Sequence, residues 1–320
     1  MIFASFVKNK YRKLLIRRYD GNPAVFYFDA SDFPGLDKEP FSFTSRAGNV
    51  LKGYFYTYPE NNGKLVIFDH GLGGGHRSYM REIELLCRRG YRVFSYDHTG
   101  CMESQGKDIG GLSQSVSDLN DCINALSAAG KISGKLCVMG HSWGAYAALN
   151  IPALQQDVCK IVAISGFVSV RSILDQQLKG FLSLYKKDVF SLEKAANPDF
   201  CELDAVKSLN GSNARALIIH SDDDPMVDYG LNSKRLEDKL KGSSQIGFIT
   251  VQGKKHNPNY SSDAVKLLEN FSAAFAEASH KGRLNDVDSQ KQFKDSFDWR
   301  AMTEQDEELW ARIFDFLDHD

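Results

Sequence analysis

A serine stands between two glycines in the pentapeptide Gly-His-Ser-Trp-Gly at 140–144, which joins two apolar segments. The segment at 135–139 has the length and composition of a buried strand, and the alanine-rich segment at 143–151 is typical of a helix. A serine on a sharp turn between strand and helix can present its hydroxyl as a nucleophile, and flanking glycines let the two elements approach closely. Because the same pattern also occurs in purely structural turns, the interpretation of Ser142 depends on the residues available to assist it.

A serine hydroxyl is a weak nucleophile at neutral pH, so it needs a histidine to accept its proton and a carboxylate to orient that histidine. The run His-Ser-Asp-Asp-Asp-Pro at 220–225 follows an apolar strand and offers the carboxylates of Asp222, Asp223 and Asp224. Asp224 precedes a proline that begins a turn, whereas the other two lie nearer the strand end, where solvent or turn capping can occupy them. We predict Asp224 as the acid, with Asp222 and Asp223 as alternatives.

Of the eight histidines, His256, His280 and His319 follow the candidate acid along the chain. An order of serine, acid and histidine makes these three the candidates for the base. His256 lies between a predicted strand and an Asn-Pro pair, in a loop at the same edge of the sheet as Ser142. His280 lies at the end of a predicted helix, and His319 lies near the terminus. We therefore predict His256 as the base.

Negative charge that develops on a carbonyl oxygen during acyl transfer needs preorganised hydrogen-bond donors. The glycine-rich loop His-Gly-Leu-Gly-Gly-Gly at 70–75 follows another buried strand and offers backbone N–H groups. It lacks the lysine and hydroxyl of a P-loop and the glycine spacing of a dinucleotide-binding loop. We predict that the N–H groups of Leu72 and Trp143 form the oxyanion hole, with His70 and His141 in structural roles.

Short apolar strands alternate with helical patterns over most of the chain, which predicts an α/β protein with a mostly parallel, twisted sheet covered by helices on both faces. The strands are expected at 65–69, 91–97, 136–139, 161–165, 216–220 and 246–251. Alternating residues at 41–58, broken by Gly48-Asn49, predict an N-terminal antiparallel hairpin. The last helix of the sheet is expected at 262–275.

The pattern divides the chain into a core at 41–166 and 212–283, with three additions. A helical insertion at 167–211 interrupts the alternation and is expected to lie as a cap over the carboxyl edge of the sheet. The segment at 1–40 begins with a basic, amphipathic stretch, which is expected to pack on the body, with contact to a membrane surface as the alternative. The extension at 284–320 is acidic but rich in aromatic residues, so a docked helical segment is expected rather than disorder.

The composition excludes several classes of function. A formal net charge of −2 and a pI of about 6.5 give no field that would attract nucleic acid. The six cysteines are scattered without a Cys-x-x-Cys pair, which argues against zinc and favours free thiols in a reducing compartment. No secretory signal or transmembrane run is recognisable, so a cytoplasmic protein that needs no metal or cofactor is expected.

Four ordered motifs resemble the α/β-hydrolases over 41–275: HGLGGG from His70, GHSWG from Gly140, HSDDDP from His220 and GKKHNP from Gly253. The resemblance, to the esterase, lysophospholipase and serine aminopeptidase-like branch, implies the triad and the oxyanion donors named above. One departure is visible at 97–104, where Asp-His-Thr-Gly-Cys-Met-Glu-Ser replaces a common Asp-x-Arg-Gly-x-Gly-x-Ser stretch. That loop supports the site in relatives, so the departure weakens the subfamily assignment more than the activity.

Because a serine replaces the aspartate nucleophile of dehalogenases and epoxide hydrolases, the resemblance implies acyl transfer. We expect hydrolysis of a small-molecule carboxylic ester, with Phe181, Tyr185 and Phe190 of the cap lining an apolar pocket. A proline-iminopeptidase-like activity is the alternative, since acidic residues of the cap could hold a substrate ammonium. Thioesterase, lysophospholipase and acyltransferase activities use the same residues, and a catalytically silent binding protein is the alternative from a different class.

Overall fold

A computed structural model describes residues 2–319 and contains one eight-stranded sheet. The strands are β1 (Asp37–Thr44), β2 (Val50–Thr57), β3 (Leu65–Asp69), β4 (Arg92–Tyr96), β5 (Leu136–His141), β6 (Val158–Ile164), β7 (Arg215–Ser221) and β8 (Ile246–Val251). Their order in the sheet is β1-β2-β4-β3-β5-β6-β7-β8. Strands β3 to β8 run parallel, and β1 and β2 form the predicted antiparallel hairpin, which pairs antiparallel with β4.

Helix α1 (Ile2–Leu14) precedes the sheet, and the other helices connect the parallel strands or follow the last of them. These are α2 (Met80–Arg88), α3 (Gln114–Ala128), α4 (Trp143–Asn150), α5 (Val170–Gln177), α6 (Lys186–Ala196), α7 (Ala205–Asn210), α8 (Arg235–Leu240), α9 (Ser262–His280), α10 (Val287–Asp295), α11 (Trp299–Met302) and α12 (Glu307–Asp318). The mostly parallel sheet with helices on both faces confirms the predicted fold class. No helix within residues 2–319 has both the length and the apolar character that crossing a bilayer requires.

Two large clusters of buried side chains cover the two faces of the sheet. The first joins α1, α3, α4 and the helices of the 167–211 insertion to one face. The second joins α2, the segment at 28–36 and α12 to the other face. Strands β3, β5 and β6 lie in the middle of the sheet and are buried almost throughout, which explains their near-continuous apolar sequences.

Helix α9 does not cover the sheet, contrary to the prediction of a last sheet helix at 262–275. Its buried residues Ala264 and Val265 belong to a small separate cluster, and Phe271 packs against rings of the extension, namely Phe293, Phe297 and Trp299. The place on the sheet is taken by α12 from the C-terminal extension. The apolar residues of α9 therefore recur at helical spacing because the helix packs on the extension. Periodicity alone shows that a helix has an apolar face, but it does not show which element covers that face.

Helix α12 packs an apolar stripe onto the sheet. Leu309, Trp310, Ile313 and Leu317 are all buried in the second cluster. The helix begins at Glu307, directly after Asp306, whose side chain accepts a hydrogen bond from the N–H of Leu309. Asp306 thus caps the helix, and the extension is an ordered part of the fold.

Candidate active site

Ser142 lies on the turn between β5 and α4 in a strained conformation, with φ of 56° and ψ of −113°. Its N–H donates to the carbonyl of Ile164 over 2.8 Å, and its carbonyl accepts from the N–H of Tyr146 over 3.0 Å. Strain of this kind persists only where the surroundings hold it, and it costs about 1–3 kcal/mol. The side chain of Ser142 is partly exposed at the carboxyl edge of the sheet.

The two glycines around Ser142 are required by close backbone contacts. A Cβ atom at Gly144 would lie 2.1 Å from the carbonyl oxygen of Asp69 in β3, and one at Gly140 would lie 2.5 Å from the backbone of Gly144. Neither neighbour can move, because each is backbone rather than a flexible side chain. The glycines therefore allow β3, β5 and α4 to meet beneath the serine.

The candidate acid and base meet in the loops that follow β7 and β8. Nδ1 of His256 lies 2.7 Å from Oδ2 of Asp224. The His256 ring also packs edge-on against the ring of His141, the residue before Ser142, with 4.8 Å between centroids. The structure thus brings His256 to Asp224 and to the turn that carries Ser142, and since Nδ1 faces the carboxylate, Nε2 is the proton acceptor of the ring.

Asp224 is held by further hydrogen bonds. Its Oδ1 accepts from the N–H groups of Met226 and Val227, over 2.8 and 3.0 Å, in the turn that Pro225 begins. Nε2 of His220 lies 3.1 Å from Oδ2. Burial alone would raise the pKa of Asp224, but the hydrogen bonds from His220 and His256 outweigh it and hold the pKa well below its usual range. Asp224 therefore remains ionised at neutral pH.

The alternative acids lie in the same loop but serve other contacts. Asp222 accepts a hydrogen bond from the N–H of Gly253 over 3.3 Å. Asp223 accepts from Ser221 Oγ over 2.7 Å and from the N–H of Lys255 over 2.9 Å. These contacts join the loops after β7 and β8. The alternative bases, His280 and His319, are exposed at the ends of α9 and α12.

The glycine-rich loop lies beside the serine. A Cβ atom at Gly71 would be 3.3 Å from Cβ of Ser142, so the loop and the nucleophile are in contact. Trp143 is the first residue of α4, where a backbone N–H has no partner in its own helix. Among residues 2–319, the N–H groups of Leu72 and Trp143 donate no backbone hydrogen bond. Neither N–H is thus taken by a backbone acceptor, and their role as oxyanion donors stays a prediction.

A chain of hydrogen bonds through His141 connects three loops of the site. The N–H of Gly71 donates to the Tyr79 hydroxyl over 3.1 Å, and that hydroxyl lies 3.0 Å from Nδ1 of His141. Nε2 of His141 lies 2.8 Å from the carbonyl oxygen of His256, which can only accept, so Nε2 carries the proton. Burial, with a contribution from His256, lowers the pKa of His141 to about 3. His141 is thus a neutral, structural residue.

His70 holds the glycine-rich loop in place through hydrogen bonds, which is the structural role predicted from its position after β3. Its Nδ1 donates to the carbonyl of Gly71 over 2.8 Å, and its Nε2 accepts from the N–H of His98 over 3.0 Å. Burial lowers the pKa of His70 to about 3, so the ring is neutral. Both nitrogens are therefore engaged in holding the loop.

His98, in the segment that departs from the family pattern, is fully buried between two carboxylates. Its Nε2 lies 2.9 Å from Oδ1 of Asp69, and its Nδ1 lies 3.3 Å from Oδ2 of Asp118. Neither contact has the angles of a good hydrogen bond, so the attraction is chiefly between charges. Burial alone would lower the pKa of His98, but the two carboxylates outweigh it and raise the pKa to about 9. The segment therefore places a buried cation under the site.

Sequence reasoning did not identify His220, Tyr79 or His98 as supports of the site. For His220, the available signal was its position four residues before the candidate acid. In the structure, its Nδ1 lies 2.6 Å from Ser233 Oγ and its Nε2 faces Asp224. Tyr79 and His98 had no such signal, because their partners are distant in sequence.

The three cap aromatics have different surroundings. Phe181 is 65% exposed and packs against Phe3 of α1, as does Tyr185. Phe190 is buried, and the guanidinium of Arg171 lies 3.7 Å above its ring. Phe181 and Tyr185 thus face the N-terminal helix, and a role for any of the three in binding substrate stays a prediction.

Comparisons with known proteins bear on the family and the fold of this chain. A family model described as serine aminopeptidase, S33, matches residues 60–198. The uncharacterized protein YqkD of Bacillus subtilis (strain 168) is 22% identical, over 83% of this chain and 90% of that protein. An esterase of Pyrococcus furiosus has a similar structure, with a TM-score of 0.58 and 18% identity over 83% of this chain and 97% of that one. An acylaminoacyl peptidase of Pyrococcus horikoshii has a TM-score of 0.56 and 15% identity, over 71% of this chain and 39% of that one.

Proposed function

We propose that this chain, which belongs to the α/β-hydrolase superfamily, is a serine hydrolase that cleaves carboxylic esters through an acyl-enzyme. The observation that carries the proposal is the contact of 2.7 Å between His256 Nδ1 and Asp224 Oδ2, next to the strained turn of Ser142. An ionised carboxylate at Nδ1 fixes the tautomer of the imidazole and stabilises the imidazolium that forms during the reaction.

In the proposed mechanism, Ser142 Oγ attacks the ester carbonyl carbon while Nε2 of His256 accepts the hydroxyl proton. The carbonyl oxygen becomes negatively charged and accepts hydrogen bonds from the N–H groups of Leu72 and Trp143, each worth about 3–4 kcal/mol in comparable sites. His256 returns the proton to the leaving alcohol, and the acyl-enzyme forms. Water activated by His256 then hydrolyses it, and none of these steps calls for a metal or cofactor.

A peptidase is the second candidate, because the matching family model is described as a serine aminopeptidase. A proline-iminopeptidase-like activity would need a cap carboxylate that is free to bind a substrate ammonium. Several cap carboxylates already have partners: Asp175 with Lys186, Glu193 with Tyr11 and the N–H of Leu112, Glu202 with Arg171, and Asp204 with Arg235. Within residues 2–319, the side chains of Asp188 and Asp199 have no such partner, so the peptidase stays the second candidate and a substrate panel has to decide.

Covalent labelling with a fluorophosphonate tests the nucleophile. We expect the wild-type chain to be labelled at Ser142 and Ser142→Ala to be unlabelled, with kcat for esters lowered about 10⁴-fold or more. Ser165→Ala is the matched control, because Ser165 also has a positive φ, of 52°, but directly follows the neighbouring strand β6. A folded wild-type sample that is not labelled would indicate a silent binding protein instead.

A substrate panel separates the two hydrolase activities. We expect turnover of p-nitrophenyl esters to exceed turnover of proline β-naphthylamide. Amide turnover without ester turnover would replace the esterase proposal with the peptidase. A cytoplasmic location is also part of the proposal, and the free thiols of the six cysteines support it.

A further inference from the structure

Helix α1 has one face on the body of the protein and another in solvent. Val7 and Tyr11 lie one turn apart and are buried, and the Tyr11 hydroxyl donates to Oε1 of Glu193 in α6 over 2.6 Å. Phe3 and Phe6 on the adjacent face are 44% and 59% exposed. The buried face is enough to hold α1 on the body of the protein. The exposure of Phe3 and Phe6 to solvent is therefore not explained by the packing of the helix.

These rings continue into an apolar surface on the insertion. The ring of Phe3 lies 5.8 Å from that of Phe6 and 5.7 Å from that of Phe181, which follows α5 in a 3₁₀ turn at Gly180–Tyr185. The same turn exposes Leu182 and Leu184, the latter by 70%. We call Phe3, Phe6, Phe181, Leu182 and Leu184 the outer patch. Contiguous apolar surface of this kind marks an interaction site.

The two segments that carry the outer patch are mainly basic, although Asp175 and Asp188 flank the second segment and Asp175 pairs with Lys186 over 2.7 Å. Residues 3–19 contain six basic and no acidic side chains, and residues 176–187 contain three lysines and no acidic side chain, although the net charge of the whole chain is −2. Lys10 and Lys13 are exposed, and helical spacing places them on the same face as Phe3 and Phe6. Within the described part of the chain, none of the four basic side chains of α1 forms an ion pair.

We infer that the outer patch and the basic face of α1 dock this protein on the surface of an anionic lipid bilayer. Exposed aromatic and leucine side chains enter the headgroup region, while lysines beside them contact lipid phosphates. A second copy of the chain would bring two positive surfaces together, and nucleic acid would leave the leucines in water. The inference concerns α1 and the insertion, and it does not depend on the proposed hydrolase activity.

Co-sedimentation of the full chain with lipid vesicles tests the inference. The vesicles consist of phosphatidylcholine alone or with phosphatidylglycerol, at low and high salt. We expect partitioning only onto the anionic vesicles, weakened by salt because exposed charges are screened. Phe6→Ser is expected to reduce partitioning about tenfold, and the double variant Lys10→Glu/Lys13→Glu at least about tenfold.

Matched controls come from surfaces remote in sequence. Val287→Ser changes an apolar side chain that is 76% exposed, and Lys239→Glu/Lys241→Glu reverses the same number of exposed charges. Both should partition like the wild type, and turnover of a soluble ester should be unchanged in all variants.

Three outcomes would overturn the inference. The first is that the chain does not bind anionic vesicles at low salt. The second is that the control variants lose as much partitioning as the variants of α1. The third is that the chain binds neutral vesicles and that Lys10→Glu/Lys13→Glu does not change this binding. Light scattering adds a further outcome: a dimer that Phe6→Ser dissociates would assign the outer patch to a second copy. Since partitioning is measured without turnover, failure of this inference and failure of the proposed function are distinguishable.

Discussion

At the scale of single residues, the partners of each histidine decide what it does. His70 and His141 are buried and neutral, with both ring nitrogens engaged in holding loops. Nε2 of His220 lies 3.1 Å from Oδ2 of Asp224 and 2.9 Å from the carbonyl oxygen of Val227. His256 has one nitrogen on the acid and is partly exposed, as a base requires. Residue type alone does not separate these roles.

The buried ion cluster of His98 predicts how stability depends on pH. The pKa of His98 is about 9 in the folded protein, against an ordinary value of 6.5, so folding favours the protonated form. This contribution, about 3 kcal/mol, is complete below pH 6.5 and is lost as the pH rises through about 9. We expect His98→Gln to lower the free energy of unfolding at pH 7 by about 3 kcal/mol and to flatten its decline between these pH values.

Urea unfolding at a series of pH values measures this effect. His280→Gln is the control, because His280 is an exposed histidine at the end of α9. If both variants show the same pH dependence as the wild type, then His98 is not charged in the folded protein.

At the scale of elements, the segment at 303–306 holds the loop that carries His256. The N–H of Ser261 donates to the carbonyl of Glu304 over 2.9 Å, and the N–H of Asp306 donates to the carbonyl of Asn259 over 2.8 Å. Lys254, which is almost completely buried, donates to Oδ2 of Asp306 over 3.0 Å. The C-terminal extension thus fixes both ends of the histidine loop.

Asp306→Asn tests this support without removing the cap of α12, since asparagine is an equally good N-cap. The variant leaves the buried Lys254 ammonium without its carboxylate, so the loop should loosen. We expect kcat to fall about tenfold with little change in KM, because His256 would be held less firmly in its reactive position. Steady-state kinetics on a p-nitrophenyl ester measure both constants. Asp263→Asn is the control, because Asp263 forms an exposed ion pair with Lys266. Equal kinetic constants in the two variants would show that the segment at 303–306 does not position His256.

The strands and the turn of Ser142 could be predicted because their signals are local. Strand β8 was predicted with its observed bounds, Ile246–Val251, and β3 with the bounds Leu65–Asp69. The support of the histidine loop could not be predicted, since Lys254 and Asp306 are 52 residues apart along the chain and meet only through folding. The same reason explains α9, whose apolar stripe was expected on the sheet but packs on Phe293 and Phe297.

At the scale of the whole molecule, the C-terminal extension forms part of the hydrophobic core on one face of the sheet. Ile313 and Leu317 of α12 share a cluster with Val162 and Ile164 of β6 and with Ile219 of β7. The ammonium of Lys160 in β6, itself buried, donates to the carbonyl oxygens of Leu317 and His319 over 2.9 and 2.6 Å. Sheet and extension should therefore unfold as one cooperative unit.

Ile313→Ala tests whether the extension and the sheet unfold together. Ile313 is fully buried, so its truncation leaves a cavity and should lower the free energy of unfolding by about 2–5 kcal/mol. If the unit is cooperative, the whole loss appears in a single transition. Tryptophan fluorescence, to which Trp310 in α12 contributes, and far-UV circular dichroism of the whole chain should then give the same midpoint in urea. Glu308→Ala, exposed on the same helix, should change the midpoint little. An earlier transition seen by fluorescence alone would mean that α12 detaches from a sheet that remains folded without it.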